Sequence, residues 1–173
     1  MKRTRRSDGF TLIELLFVVA IIGILSAIAA PALSRSKMAA NESSAIASLR
    51  VIHSGQQAFW ASCGSGNYSM SLQNLGLPVG GAPGFVSADV SGPAPVVKSG
   101  YEVEMDSDNP TVGTSCNGGA LATTYHSTTD PQPGRGRHYF GSNSGGAIYQ
   151  SSATLFVDMP DVGSAPAPAI PIQ

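Results

Sequence analysis

Charge is scarce in this sequence. Only 12% of its 173 residues are Asp, Glu, Lys or Arg, and the formal net charge is −1. A chain so weakly charged carries no electrostatic footprint for nucleic acid. Cysteine is scarcer still. Cys63 and Cys116 are a lone pair, far apart, with neither zinc-ligand spacing nor a CxxC redox motif. The three histidines are scattered: His53, beside a helical stripe, reads as a packing or surface residue. His126 and His138 fall on candidate neighbouring strands and so suggest a shared metal only weakly. Serines are plentiful, but none sits in a GxSxG elbow. No nucleophile, acid–base pair or metal set points to an enzyme.

The charge that exists is unevenly placed. Lys2, Arg3, Arg5 and Arg6 crowd the first six residues; beyond residue 9, six basic side chains face ten acidic ones. From Phe10 to Leu33 the chain is apolar, with Glu14 as its one charge. That is enough to cross a bilayer core, which takes about 20 apolar residues as a helix. The basic cluster ahead of the span predicts a cytoplasmic N-terminus and an exported remainder. In an oxidising compartment Cys63 and Cys116 most simply form one disulfide; the alternative is two unrelated buried thiols.

Within the span, Pro31 lacks a backbone donor and Gly23 is a second soft point. Beyond it Ala45, Leu49, Ile52, Gln56 and Phe59 recur at helical spacing, with Ile46 and Trp60 alongside. One helix is therefore predicted from Phe10 to about Ser62, apolar all round at first and amphipathic later. Composition changes at Cys63. Residues 76–100, rich in Gly, Pro and Ser, read as a long loop. Tyr101, Val103 and Met105 alternate with Glu102, Glu104 and Asp106, a strand with one wet face. Further predicted strands are 120–126, 135–140, 147–150 and 153–159, with a hairpin turn at 141–146. The tail 160–173, with four prolines, is expected to be loose or extended. Arg135 and Arg137 read as a solvated strand face, and Phe59 with Trp60 as anchors of helix on sheet. The fold class is α+β: one long helix on a small antiparallel sheet.

Three readings of the N-terminus compete. A secretory signal peptide fits the basic and apolar regions, with Ala27-Ile28-Ala29 or Ala30-Pro31-Ala32 as cleavage sites; Glu14 argues against it. For a plain anchor Glu14 is a cost without a return. The third reading is a resemblance. "GFTLIELLFVVAIIGILSAIAAP" (9–31) resembles the N-terminal signature of type IV pilins and type II secretion pseudopilins: a basic leader, a Gly-Phe junction, Thr-Leu-Ile-Glu and a long apolar helix interrupted by proline. The region around Tyr101, Tyr125, Pro133, Tyr139 and Tyr149 is more loosely similar to the sheet of small pilins and major pseudopilins.

The resemblance implies a division into a leader (1–9), a transmembrane and filament-core helix (10–34), its amphipathic continuation (35–62), a loop-rich sheet domain (63–159) and a Pro-rich tail (160–173). It implies cleavage after Gly9 by a prepilin peptidase and N-methylation of Phe10. Asp8 departs from the basic or small residue that often precedes that glycine. Glu14 is implied to neutralise the N-terminus of a neighbouring subunit; pairing within one chain, or a protonated Glu14, is the alternative. Gly23 and Pro31 are implied to let the helix stretch on assembly. Expected partners are further copies and other pilins, the peptidase, a platform protein, an assembly ATPase, and membrane lipid before assembly. The expected place is the inner membrane with a periplasmic domain, then a pilus. A pseudopilus is the first alternative, and a membrane-tethered monomeric binding module the second. No cofactor is expected, with Asp106 and Asp108 as weak calcium candidates.

Overall fold

The structure is a computed structural model that describes residues 9–172; Lys2, Arg3, Arg5, Arg6 and Asp8 lie outside the described residues. The chain divides into two units, one ending at Lys37 and one beginning at Met38, which are taken in turn. Helix α1, Leu12–Ser62, supplies the described part of the first and continues into the second. It begins two residues later than Phe10 because Thr11 serves as its N-cap, and it stays helical through Gly23 and Pro31. Every described residue up to Lys37 is exposed. This stretch is long and apolar enough to cross a membrane.

In the second unit α1 is one-sided. Ala45, Leu49, Ile52, Gln56 and Phe59 are all buried. Leu49 meets Tyr101, Phe140 and Ile148; Ile52 meets Val103, Met105 and Tyr125; Phe59 meets Leu75, Val86 and Leu121. Each large apolar side chain buried in this way contributes about 2 kcal/mol. Trp60 is exposed, so Phe59 alone is the anchor, and its partners lie outside the six-stranded sheet. The helix stops where Cys63 and Gly64 both donate their N–H to the Phe59 carbonyl. A Cβ on Gly64 would stand 1.9 Å from the Asn67 carbonyl oxygen, so the turn needs glycine.

The remaining elements are β1 (Tyr68–Ser69), α2 (Leu72–Leu75), β2 (Val96–Lys98), β3 (Tyr101–Asp106), β4 (Pro110–Thr111), β5 (Leu121–Ala122), β6 (His126–Pro131), β7 (Tyr139–Asn143), β8 (Ile148–Ser151) and β9 (Ile170–Pro171). They form two antiparallel sheets, β2-β3-β6-β7-β8-β9 and β1-β5-β4. Strand β3 is the predicted alternating strand: Tyr101, Val103 and Met105 are buried toward α1.

Several expectations give way. The predicted strand 120–126 is two short pieces, because β5 ends at Ala122 and β6 starts at His126. Strand β6, Ser-Thr-rich, is central to the large sheet, although its polar composition reads as loop. The predicted strand 135–140 starts only at Tyr139. Residues 153–159 form turns instead of a strand: Thr154 Oγ1 accepts the Phe156 N–H, and Met159 N donates to the Leu155 carbonyl. Leu155 and Met159 then pack with Tyr149. The tail is extended rather than loose. It carries β9, paired to β8, and buries Asp161. The segment 76–100 is mostly loop but ends in β2.

Gln56 is the polar member of the buried stripe. Its amide nitrogen donates to the Ser69 carbonyl at 2.8 Å and its amide oxygen accepts from Ser69 N at 2.9 Å, closing β1 onto the helix as a strand partner would. Replacing it with Leu keeps the bulk but orphans both Ser69 groups. Gln56→Leu is expected to cost about 3 kcal/mol in urea unfolding. The Cys63–Cys116 disulfide fixes the end of α1 to the loop before β5. Its removal by paired Cys→Ser substitution is expected to cost roughly 4 kcal/mol in the same measurement, from the long loop it closes.

Candidate functional site

The start of α1 is built by a reciprocal pair. Thr11 Oγ1 accepts the Glu14 N–H at 3.3 Å and donates to Glu14 Oε2 at 2.7 Å. Glu14 Oε2 also accepts the Thr11 N–H at 3.1 Å. This is a capping box, which satisfies two of the four amide donors that a helix start leaves without partners. Glu14 Oε1 has no hydrogen-bond partner among the described residues. Gly9 and Phe10 precede the cap, exposed, and a Cβ on Gly9 would meet nothing within 4 Å. The peptide between them is therefore open to approach. The signal for Thr11 in the sequence is Thr-x-x-Glu ahead of an apolar run, a helix-start signature. The unpartnered side chains from Leu12 to Leu33 continue the same exposed surface. Gly23 has open space around it, and position 31 offers no N–H to the Ala27 carbonyl.

The second unit gathers the titratable residues differently from expectation. His126 and His138 do not meet: His126 pairs across the sheet with Asn143, at the far end of β7 from His138. His138 instead bonds Glu42 through Nδ1 at 3.1 Å. His53 bonds the Tyr125 hydroxyl at 2.8 Å, and burial pushes its pKa down. Arg135 and Arg137 are exposed, as expected, but they precede β7 and so do not form a strand face. Glu102, Glu104 and Asp130 line a hollow of about 250 Å³ with Phe156 and Val157. Burial, and then the charges of Asp130, Glu102 and Asp106, push the Glu104 carboxyl up.

Asp108, His126 and Asp161 bring ligand atoms within 4.8 Å of one another. Asp106 does not join them; its Oδ1 accepts the Ser107 N–H. The donors around Asp161 suit an anion. Its Oδ1 takes His126 Nδ1 at 2.6 Å, and its Oδ2 accepts from Ser107 Oγ, Asp108 N, Asn109 Nδ2 and Thr124 Oγ1. An N–H group cannot ligate a cation, so the Asp161 oxygens are already committed. The group is a latch that ties the C-terminal segment to β6 and the turn after β3.

Burial pushes the Asp161 carboxyl up, but the bonds from His126, Thr124, Asn109 and the Asp108 amide outweigh it and hold it below the usual carboxylate range. The latch thus contributes fully above the ordinary range and is lost as pH falls through the lowered value. Asp161→Ala is expected to cost about 3 kcal/mol at neutral pH. It is also expected to open residues 152–169 to limited proteolysis, and the difference from the unsubstituted chain should shrink in strong acid.

Comparison with known proteins agrees with the geometry of the helix start. Residues 4–30 match the family model of the prokaryotic N-terminal methylation motif. The chain is 45% identical over 56 residues to the type IV major pilin protein PilA of Myxococcus xanthus (strain DK1622), a match covering 32% of this chain and 26% of that protein. The chain thus spans about a quarter of the length of that relative. No solved structure matches. A methylation motif laid over the capped start of α1, and similarity to a major pilin over 56 residues, are what this chain shares with type IV pilins, beside a long helix with antiparallel sheets.

Proposed function

We propose that this chain is a pilus subunit, cut after Gly9, methylated on Phe10 and polymerised through its apolar helix. The observation that carries the reading is the helix start, where the exposed Gly9–Phe10 junction stands just before the Thr11–Glu14 box inside the matched motif. Cleavage converts the Phe10 nitrogen from a neutral amide to an ammonium, and methylation leaves that charge in place. Glu14 offers an oxygen to it. Oε2 is engaged by Thr11, while Oε1 is left for the ammonium of a neighbouring subunit. A carboxylate without a partner in lipid is costly, and one facing an ammonium is much less so. Pairing thus sets the axial register between subunits.

The exposed apolar side chains from Leu12 to Leu33 support the rest of the reading. In the bilayer lipid covers them; in a filament other helices do. The soft positions Gly23 and Pro31 suit a helix that changes surroundings in this way. The basic leader places the cut on the cytoplasmic side and the Met38–Gln173 unit in the periplasm. Prepilin peptidase, a platform protein and an assembly ATPase are the partners this reading requires. Similarity to a major pilin favours a pilus over a pseudopilus.

The capping role and the assembly role of Glu14 separate by substitution. Glu14→Gln keeps a side-chain oxygen for Thr11 but removes the charge; Thr11→Ala breaks the cap and keeps the charge. All variants are expected to insert and to be processed, as read by intact mass. Glu14→Ala and Glu14→Gln are expected to lower filaments in the sheared fraction by more than about tenfold, because a buried carboxylate–ammonium pair is worth about 3 kcal/mol to break. Thr11→Ala, which loses about 1 kcal/mol of capping, should keep most of them. Normal filaments from Glu14→Gln would rule out the charge pairing.

A further inference from the structure

We propose that the acidic hollow on the outer face of the large sheet binds a small diammonium ligand, two primary ammonium groups joined by a short alkyl chain. The hollow measures about 250 Å³ and lies between strands β3 and β6 and the turn at 154–157. It lies wholly within the Met38–Gln173 unit and does not depend on the filament reading.

Strand alternation builds the site. Tyr101, Val103 and Met105 turn toward α1, so Glu102 and Glu104 fall on the opposite face. Across the ladder Glu102 stands opposite Asp130, and Glu104 stands opposite Thr128. The hollow therefore has two rungs, one with two carboxylates and one with a carboxylate and a hydroxyl. Two residues of strand separate them, roughly 7 Å. No lining residue is basic. Burial pushes the Asp130 carboxyl up, and the Glu102 charge adds to this against the Thr154 hydrogen bond. Glu104 is pushed the same way. The hollow thus holds negative charge that its own lining does not balance.

The second observation is a set of polar groups without partners. Thr154 Oγ1 donates to Asp130 Oδ2, but Asp130 Oδ1 is buried and has no hydrogen-bond partner among the described residues. Thr128 lines the hollow at 2% exposure, and its hydroxyl makes no hydrogen bond among the described residues. The Glu104 carboxylate accepts none either. Glu102 is engaged at one oxygen only, where Oε1 accepts from Gln132 Nε2 at 3.3 Å. Buried polar atoms are almost always satisfied, so Asp130 Oδ1 and the Thr128 hydroxyl mark a place for donors the chain does not supply.

A diammonium ligand suits this lining. An ammonium is a compact positive charge with three donors. One such group answers Asp130 Oδ1 and Glu102, and the other answers Glu104 and the Thr128 hydroxyl. A four-carbon chain holds its two nitrogens about as far apart as the rungs. Its methylenes lie against Phe156 and Val157, the apolar wall of the hollow. A bare divalent cation suits it less, because calcium draws six to eight oxygens in to about 2.5 Å. Among the described residues the set that converges closely enough for a metal is Asp108, His126 and Asp161; the three carboxylates of the hollow do not converge in this way.

The test is an NMR titration of the full chain in detergent micelles at physiological salt, with putrescine, n-butylamine and calcium chloride in separate series. Putrescine at millimolar concentration is expected to shift the Glu104, Thr128 and Asp130 amides saturably, and calcium is not. Butylamine, which reaches one rung only, is expected to bind roughly tenfold more weakly, on the scale of one hydrogen bond to a charged group. Glu104→Gln removes a charge but no hydrogen bond within the chain, so it should fold normally. It is expected to bring putrescine down to the affinity of butylamine. Absence of a saturable putrescine shift overturns the proposal, as does unchanged putrescine affinity in Glu104→Gln. Butylamine binding as tight as putrescine overturns the two-rung assignment, and calcium binding as tight overturns the choice of an organic cation.

Discussion

The buried stripe of α1 sets the terms for the Met38–Gln173 unit. A helix satisfies its own backbone, so its burial is a matter of side chains alone. Leu49, Ile52 and Phe59 each enter a different apolar cluster, and the elements that fill those clusters come from the chain between Tyr68 and Ile148. Gln56 adds what an apolar residue cannot. By bonding both Ser69 backbone groups it lets a two-residue strand sit against a helix without leaving an amide unpaired. With the adjoining disulfide, this holds the end of α1 to the β1-β5-β4 sheet from two directions.

Low charge has a structural counterpart. With so few ionic side chains, Ser, Thr, Asn and backbone groups carry the polar interior. Asp161 is the exception, and the fold surrounds it with five donors rather than one countercharge. Asn143 works in the same manner, donating to the Pro160 and Gly163 carbonyls. The C-terminal segment is thereby fastened at Asp161, at Asn143 and through β9, while Leu155 and Met159 pack on Tyr149. Such many-donor cradles fix a loop firmly because no single bond decides its position.

How far the sequence disclosed this depends on what kind of signal each element carries. The helical stripe and the alternation of β3 were legible, because a period of 3.6 or 2 survives when one face is buried and the other wet. Strand β6 was not, since both of its faces are covered and its buried residues include Ser127, Thr128 and Thr129. Polar residues inside a sheet carry no periodic trace. The latch on Asp161 was equally hidden, because its donors lie up to 54 residues away in the chain and only the fold brings them to it. At the helix start the signature itself was legible through resemblance, and the matched motif covers it. Thr11 carries only a short local signature there, Thr-x-x-Glu, in which the same carboxylate serves as both charge and cap.

That double service bears on how a cut chain behaves. An ammonium created on Phe10 stands one residue before the N-cap, where the helix dipole is already positive and amide donors point outward. In apolar surroundings such a terminus is unfavourable without an anion. On the proposed reading Glu14 supplies one, and the capping box positions it, because Thr11 holds Oε2 at the helix start and keeps the carboxylate from turning away. The remaining oxygen then serves an ammonium from its own chain or from the next with the same chemistry. Exchanging one for the other alters little in electrostatic energy, so entry into a filament need not pass through an unpaired charge. On the same proposed reading, assembly adds the contact of apolar helices, and the charge pair decides at which height along them that contact is made.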